Sequence, residues 1–288
     1  MAATPQQVSI MHKIKGIIAL DLDGTLLNSD KQLTDGNLLA LKRAHEAGYA
    51  IVPTTGRFYG GMPEAIRALS FVRYVITING AAVQDLETDT LLYRAEIPHK
   101  IALDLMEELD RYPLLYDCYM ENDAFMSERY FRFIEQYSKN PHYQRMLRSL
   151  RKPVPELKSL LKEKANDVQK VQFFTDDAAL RLRLMEELPK RYPTLITSSS
   201  VSDNVEINDR HANKGEALLA LATHLGLEQK DTIAFGDGLN DLSMIRTAHY
   251  GIAMANAAEE VRKAATHITR SCDEDGVAYG IEQFVMHS

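Results

Sequence analysis

Cysteine is scarce in this chain: Cys118 and Cys272 are the only two in 288 residues. They lie far apart and in no metal-type spacing, which argues against a disulfide framework or a thiolate metal site. Both read as free thiols of a reducing compartment. Long apolar runs are missing too, and none approaches the roughly 20 residues that a bilayer-spanning helix needs. The stretch Met1–His12 is polar and lacks the apolar centre of a signal peptide. Residues 1–12 therefore read as a disordered leader, and cytoplasm as the default location. Basic charge is not in excess: 33 Lys and Arg face 40 Asp and Glu, a formal net charge of −7. That balance argues against a nucleic-acid partner, while leaving room for a local basic pocket. No internal repeat, low-complexity tract or coiled-coil pattern occurs, so the oligomeric state is open.

What is present is a run of branched apolar residues, Gly16 to Leu20, that breaks into Asp21-Leu22-Asp23-Gly24-Thr25. This pattern reads as a buried strand ending in an acid-rich turn. From there strand and helix alternate. Thr34 caps a helix to about Ala47, Ala50–Pro53 is a strand followed by Thr54-Thr55-Gly56-Arg57, and a helix around Pro63–Leu69 leads to a strand at Tyr74–Ile78. Two consecutive β-α-β units imply a parallel sheet with helices on both faces. A turn at Asn79-Gly80-Ala81 and a hairpin over Val83–Leu92 follow. The grammar then changes to long charged helices, Lys100–Leu109 and Ala178–Leu188, with isolated strands at Leu114–Met120 and Lys170–Thr175. Tyr130 to Lys164 reads mostly as helix interrupted at Pro141, Pro153 and Pro155. From Asn208 the first grammar returns, with a helix from Lys214 and a strand Thr232–Phe235 ending in Gly236-Asp237-Gly238-Leu239-Asn240-Asp241. The expected architecture is α/β: a Rossmann-like core (residues 13–84 and 208–288) split by an inserted α+β unit (residues 85–207).

In an open parallel sheet, ligands bind beyond the carboxyl ends of the strands. Asp21 and Asp23, Thr54 and Thr55, and Asp237 and Asp241 each follow an apolar strand, and Lys214 opens a helix. If they converge, up to four carboxylates meet. Like charges about 4 Å apart repel by roughly 4 kcal/mol at an effective dielectric near 20, so a cation is expected. An all-oxygen donor set suits Mg2+ better than zinc. With an ammonium and a hydroxyl nearby, such a site suits a phosphate group. Asp21 is then the candidate nucleophile and Asp23 the candidate acid/base. Thr55, Lys214 and Asn240 would hold the phosphoryl oxygens.

Asp-Leu-Asp-Gly-Thr, Thr-Thr-Gly-Arg, Asn-Lys-Gly and Gly-Asp-Gly-Leu-Asn-Asp, in that order, resemble the four motifs of the haloacid dehalogenase superfamily. The insertion resembles the large cap of its Cof-type (HAD-IIB) phosphatases. Ile76-Thr-Ile-Asn-Gly-Ala-Ala-Val83 and Asn204-Val-Glu-Ile-Asn208 resemble that family's inter-domain hinges. The resemblance implies an HAD-like core under a cap, and Mg2+ held by Asp21, the Asp23 carbonyl and Asp237, with Asp241 acting through water. It also implies phosphate contacts from Thr55, in the loop with Gly56 and Arg57, and from Lys214. Thr54 departs from the usual small or apolar residue, and Thr55, next to Gly56, is preferred as the phosphate ligand.

The expected function is Mg2+-dependent hydrolysis of a small phosphorylated metabolite, with sugar phosphates favoured. A phosphomutase or a non-catalytic binding protein on the same scaffold is the alternative. Arg57 has two readings, a partner for an acid or a substrate contact. The basic run Arg145–Lys164 reads as a solvated helical face, and the scattered histidines as ordinary surface or core residues. Tyr119, Glu121 and Arg145 are the candidate specificity residues of the cap.

Overall fold

The computed structural model describes residues 14–136, 141–199 and 203–286, and the expected leader lies outside them. The chain starts with β1 (Gly16–Leu20), α1 (Asp35–Glu46), β2 (Tyr49–Pro53), α2 (Glu64–Arg67), β3 (Tyr74–Thr77), β4 (Ala82–Asp85) and β5 (Thr90–Arg94). It continues through α3 (His99–Leu109), β6 (Leu115–Met120), β7 (Asp123–Ser127), α4 (Glu128–Arg132), α5 (Pro141–Leu150), β8 (Lys152–Val154) and α6 (Leu157–Lys164). Next come β9 (Lys170–Phe174), α7 (Ala178–Arg191), β10 (Leu195–Ser198), β11 (Asn204–Asp209) and α8 (Lys214–His224). The last elements are β12 (Thr232–Gly236), α9 (Leu242–Thr247), β13 (Tyr250–Ala253), α10 (Glu259–Ala264), β14 (His267–Ile268) and α11 (Gly276–Phe284).

β1 and β12 are buried along their whole length, as expected of apolar strands covered on both faces. They lie at the heart of a parallel sheet in the order β14-β13-β12-β1-β2. Leu20 pairs with Phe235 on one side and Pro53 on the other, so β12, β1 and β2 end level. Asp237, Asp21 and Thr55 therefore leave three adjacent strands at one rim. α1 packs against α11 and α8 against α9. Buried Asn37 fastens the first pair: its Nδ2 donates to Leu26 O, and its Oδ1 accepts from the Ala278 N–H.

One strand departs from expectation. β3 meets β2 only through a parallel bridge between Thr54 and Ile76, and its main partner is β4, antiparallel, in a sheet β3-β4-β5. The preceding α2 is one turn long, and the hairpin β4-β5 takes up the free edge of β3. Val83, Leu86, Leu92 and Tyr93 pack on the first hydrophobic core. That unit accordingly runs to Arg94, and the expected boundary at 84/85 falls inside β4. The boundary at 207/208 likewise falls inside β11. The chain passes between the two cores around Ala95–Pro98 and Arg210–Asn213, beyond both segments read as hinges.

The inserted unit is a sheet in the order β10-β11-β9-β6-β7-β8. Alternation splits its residues between two faces. Tyr116, Cys118, Val171, Phe173, Val205 and Ile207 join the second hydrophobic core. Asp117, Tyr119, Lys170, Gln172 and Glu206 are also buried, but outside that core. Pro141 opens α5 rather than interrupting a helix, a position where its missing N–H costs nothing. Pro153 sits in edge strand β8. A small third cluster, with Phe58, Ile78 and Ala81 from one unit and Tyr119 and Ala124 from the other, joins the two.

Candidate active site

The turn after β1 is possible because Gly24 takes φ +89°, and a Cβ there would lie 2.5 Å from Asp237 Oδ2. The close approach lets Thr25 Oγ1 donate to Asp237 Oδ1 at 2.8 Å. The N-cap Asn213 accepts from the Glu216 N–H and starts α8, so Lys214 enters the rim from the first helical position. Its Nζ, fully buried, donates to Asp21 Oδ1 at 2.6 Å and to Asp241 Oδ1 at 2.5 Å. Asp241 Oδ2 accepts the N–H groups of Asp237 and Gly238, both at 2.9 Å, and so braces the loop after β12.

Asp21, Asp237 and Asp241 each bring a carboxylate oxygen within 4.8 Å of the others. One ammonium is set against these three acids. Burial, then the charge of Asp241, pushes the Asp21 carboxyl up to about 8 despite the pull of Lys214. Burial and Asp241 also move Asp237 up to about 6. Burial opposes the charge on Lys214, but Asp21 and Asp241 outweigh it and raise its pKa. An all-oxygen set with surplus negative charge fits a hard divalent cation.

Asp23 is placed apart from this trio. Both its oxygens are bound by Arg57, through Nε at 3.1 Å and Nη2 at 2.8 and 3.0 Å, and Lys31 Nζ lies 3.1 Å from Oδ1. Burial acts to raise its pKa, but Arg57 and Lys31 outweigh it and hold the carboxyl below its usual range. Of the two readings of Arg57, this geometry displays the acid partner. Thr54 Oγ1 donates to Val52 O, so its proton is spent on the strand. Thr55 Oγ1 accepts the Arg57 N–H at 3.2 Å, which leaves its proton to point elsewhere. Gly56 packs so tightly under Asn79 that a Cβ would lie 2.8 Å from Oδ1. Asn240 Nδ2 donates to that same Oδ1 at 3.3 Å.

Of the cap candidates, Tyr119 meets this region, its ring 5.5 Å from that of Phe58. The Glu121 carboxylate is occupied by Lys164 and Asn166, and Arg145 is exposed on α5. The basic run holds an exception to the solvated-face reading. Arg151 follows the end of α5, turns inward and is buried, with Nε 2.8 Å from Asp117 Oδ2 and Nη2 2.9 Å from Tyr119 Oη. Sequence reasoning missed Lys31, Asn79, Lys170 and Glu206. Thr25 was visible in the first motif without a role attached.

Residues 18–281 match the family described as haloacid dehalogenase-like hydrolase. The chain belongs to that family. With its inserted α+β unit it shares the fold of the HAD subclass IIB sugar phosphatase BT4131, at a TM-score of 0.76 and 21% identity over 93% of this chain and 98% of that one. It is 30% identical over 272 residues to the 5-amino-6-(5-phospho-D-ribitylamino)uracil phosphatase YcsE of Bacillus subtilis, covering 94% of this chain and 96% of that one. It is 30% identical over 264 residues to the pyridoxal phosphate phosphatase YbhA of Escherichia coli, covering 91% and 96%. A haloacid dehalogenase-like hydrolase from Bacteroides thetaiotaomicron superposes with a TM-score of 0.78 at 28% identity, over 93% of this chain and 98% of that one. These named relatives are phosphatases, and the chain shares their haloacid dehalogenase-like hydrolase family. No helix among the described residues is long and apolar enough to cross a membrane.

Proposed function

We propose that this phosphatase hydrolyses a small phosphorylated metabolite with Mg2+ as its cation, through a phosphoaspartyl intermediate on Asp21. Sugar phosphates are the first class to test, and the YcsE and YbhA names add a phosphoribityl compound and pyridoxal phosphate. The observation that carries the reading is the convergence of Asp21, Asp237, Asp241 and Lys214 at the ends of adjacent strands. Asp21, Asp237 and Asp241, with the Asp23 carbonyl, are the residues that would hold Mg2+. Bound there, the cation would neutralise the crowded acids and draw charge from the phosphate.

The chain's own groups would do the rest. An Asp21 carboxylate oxygen attacks phosphorus as the ester P–O bond breaks, and a protonated Asp23 gives its proton to the departing alkoxide. Asp23 then takes a proton from water, whose oxygen attacks phosphorus and breaks the bond to Asp21. Lys214, Thr55 and Asn240 hold the non-bridging oxygens throughout. Clamped by Arg57 and Lys31, Asp23 is in the anionic form that serves this second step. For the first step Arg57 has to release it.

The test is inorganic phosphate release from a panel of phosphorylated sugars, nucleotides and cofactors, with Mg2+ or with chelator. Isomer formation is read in the same samples. Phosphate release that needs Mg2+ and is lost in Asp21→Asn, with its thermal transition kept, is the expected result. Isomer without phosphate would make the protein a mutase, and turnover in Asp21→Asn would remove the nucleophile.

A further inference from the structure

The turn after β3 is strained. Ile78 and Asn79 take φ +54° and +56°, and Gly80 follows at +95°. A β-branched residue in that region is an outlier, and such strain persists only where surrounding contacts enforce it. The contacts are specific. The Ile78 N–H donates to Arg57 O and the Asn79 N–H to Thr55 O, so the turn fixes the loop that carries Thr55. A Cβ at Gly80 would lie 2.3 Å from Asn213 O, so the turn also rests on the backbone just before Lys214.

The side chain of Asn79 points between the two units. Its Oδ1 accepts from Asn240, and its Nδ2 donates to Glu206 Oε2 at 3.0 Å. Glu206 is buried on β11, and its Oε1 accepts from buried Lys170 on β9 at 3.1 Å. Lys170 Nζ in turn lies 4.3 Å from the centre of the Tyr119 ring. A continuous polar chain thus runs from the inserted sheet to two groups assigned to the phosphate.

We infer that Asn79 is a positioning residue that couples seating of the inserted domain, through Glu206 and Lys170, to the placement of Thr55 and Asn240. The inference rests on the phosphatase reading above. An amide is the group that does this. It donates to a carboxylate on one side and accepts from an amide on the other, and Asn tolerates the left-handed backbone. With the inserted domain lifted, Asn79 loses Glu206, the acceptor that fixes its amide with Oδ1 toward Asn240.

The decisive experiment compares Asn79→Asp with the double variant Asn79→Asp/Glu206→Gln. Asp keeps the turn but sets a carboxylate against Glu206, and the double variant restores a donor–acceptor pair. Para-nitrophenyl phosphate with Mg2+ is the probe. Asn79→Asp should lower kcat by about 10- to 100-fold with KM changed far less, the scale of a misplacement of about 1 Å. The double variant should recover about tenfold or more of that loss. In parallel, hydrogen exchange at the Ile78 and Asn79 amides should quicken in Asn79→Asp and slow again in the double variant. An unchanged kcat in the single variant, or no recovery in the double, overturns the coupling. If the wild type releases no phosphate from any substrate, the phosphatase reading falls. The exchange data then decide the coupling alone.

Discussion

Replacing Lys214 with Met takes away an ammonium that sits 2.6 Å from Asp21 and 2.5 Å from Asp241 with no solvent exposure. The carboxylates it joins belong to a trio whose oxygens lie within 4.8 Å of one another. At that separation two ionised carboxylates repel by about 3–4 kcal/mol at an effective dielectric of about 20. Breaking a buried pair by deleting one partner costs about 3–5 kcal/mol, because the remaining charge keeps its desolvation penalty. Lys214→Met should therefore unfold at markedly lower urea in the presence of chelator. Mg2+ should give back part of the loss, since a bound cation takes over the neutralisation. A ligand at a hundredfold over its dissociation constant stabilises by about 2.7 kcal/mol, and the variant should gain more than the wild type at equal Mg2+. Urea unfolding of both proteins, each with Mg2+ and with chelator, gives the four free energies. A loss below about 1 kcal/mol in chelator, or an equal Mg2+ increment in both proteins, would refute the picture of a crowded acid site held open by one ammonium.

Two further outcomes follow from the ion pairs. In Arg57→Met, Asp23 loses the stronger of the two cations that oppose its burial and keeps Lys31, so its carboxyl should titrate at higher pH than in the wild type; carbon-detected NMR of the Asp carboxyls reads this, and an unmoved Asp23 would deny the clamp. Burial acts to raise the Asp85 pKa, but hydrogen bonds from Arg73 and from the Glu87 N–H outweigh it and lower it. This contribution is present above the unfolded value near 3.9 and is lost as pH falls through the folded value. Asp85→Asn should thus cost about 1 kcal/mol at neutral pH, modest because Arg73 is half exposed, and nothing at acid pH. A difference independent of pH would count against the pairing.

The core was legible because each parallel strand is a short apolar run ending in a polar turn, and burial on both faces demands such runs. The same rule puts Asp21, Thr55 and Asp237 on one rim. β3 lies where a strand is expected and keeps a parallel bridge to the end of β2, but its four residues, Tyr74–Thr77, look alike in parallel and antiparallel sheets, so its main partner is not legible. Only the later hairpin decides the pairing. In the inserted unit β7, β8 and β10 carry Asp123, Lys152, Pro153 and Ser198, so neither alternation nor apolar content marks them. Asn79 and Glu206 lie 127 residues apart, and their hydrogen bond is a product of tertiary folding. Both sit in segments that resemble the family's inter-domain hinges. Arg151 is hidden inside a basic run whose other members are exposed or, like Lys158, half-buried in an ion pair, and the end of α5 turns it in.

Asp21 as the site of covalent phosphorylation is the claim on which the mechanism turns. An acyl phosphate is reduced by borohydride to the alcohol, which would leave homoserine at position 21. The measurement is peptide mass spectrometry after borohydride quenching, during turnover of a phosphate ester with Mg2+ and in a substrate-free control. Homoserine at position 21 in the turnover sample alone is the expected result. Rapid turnover with no reduction at position 21, or reduction at Asp23 or Asp237 instead, would contradict it.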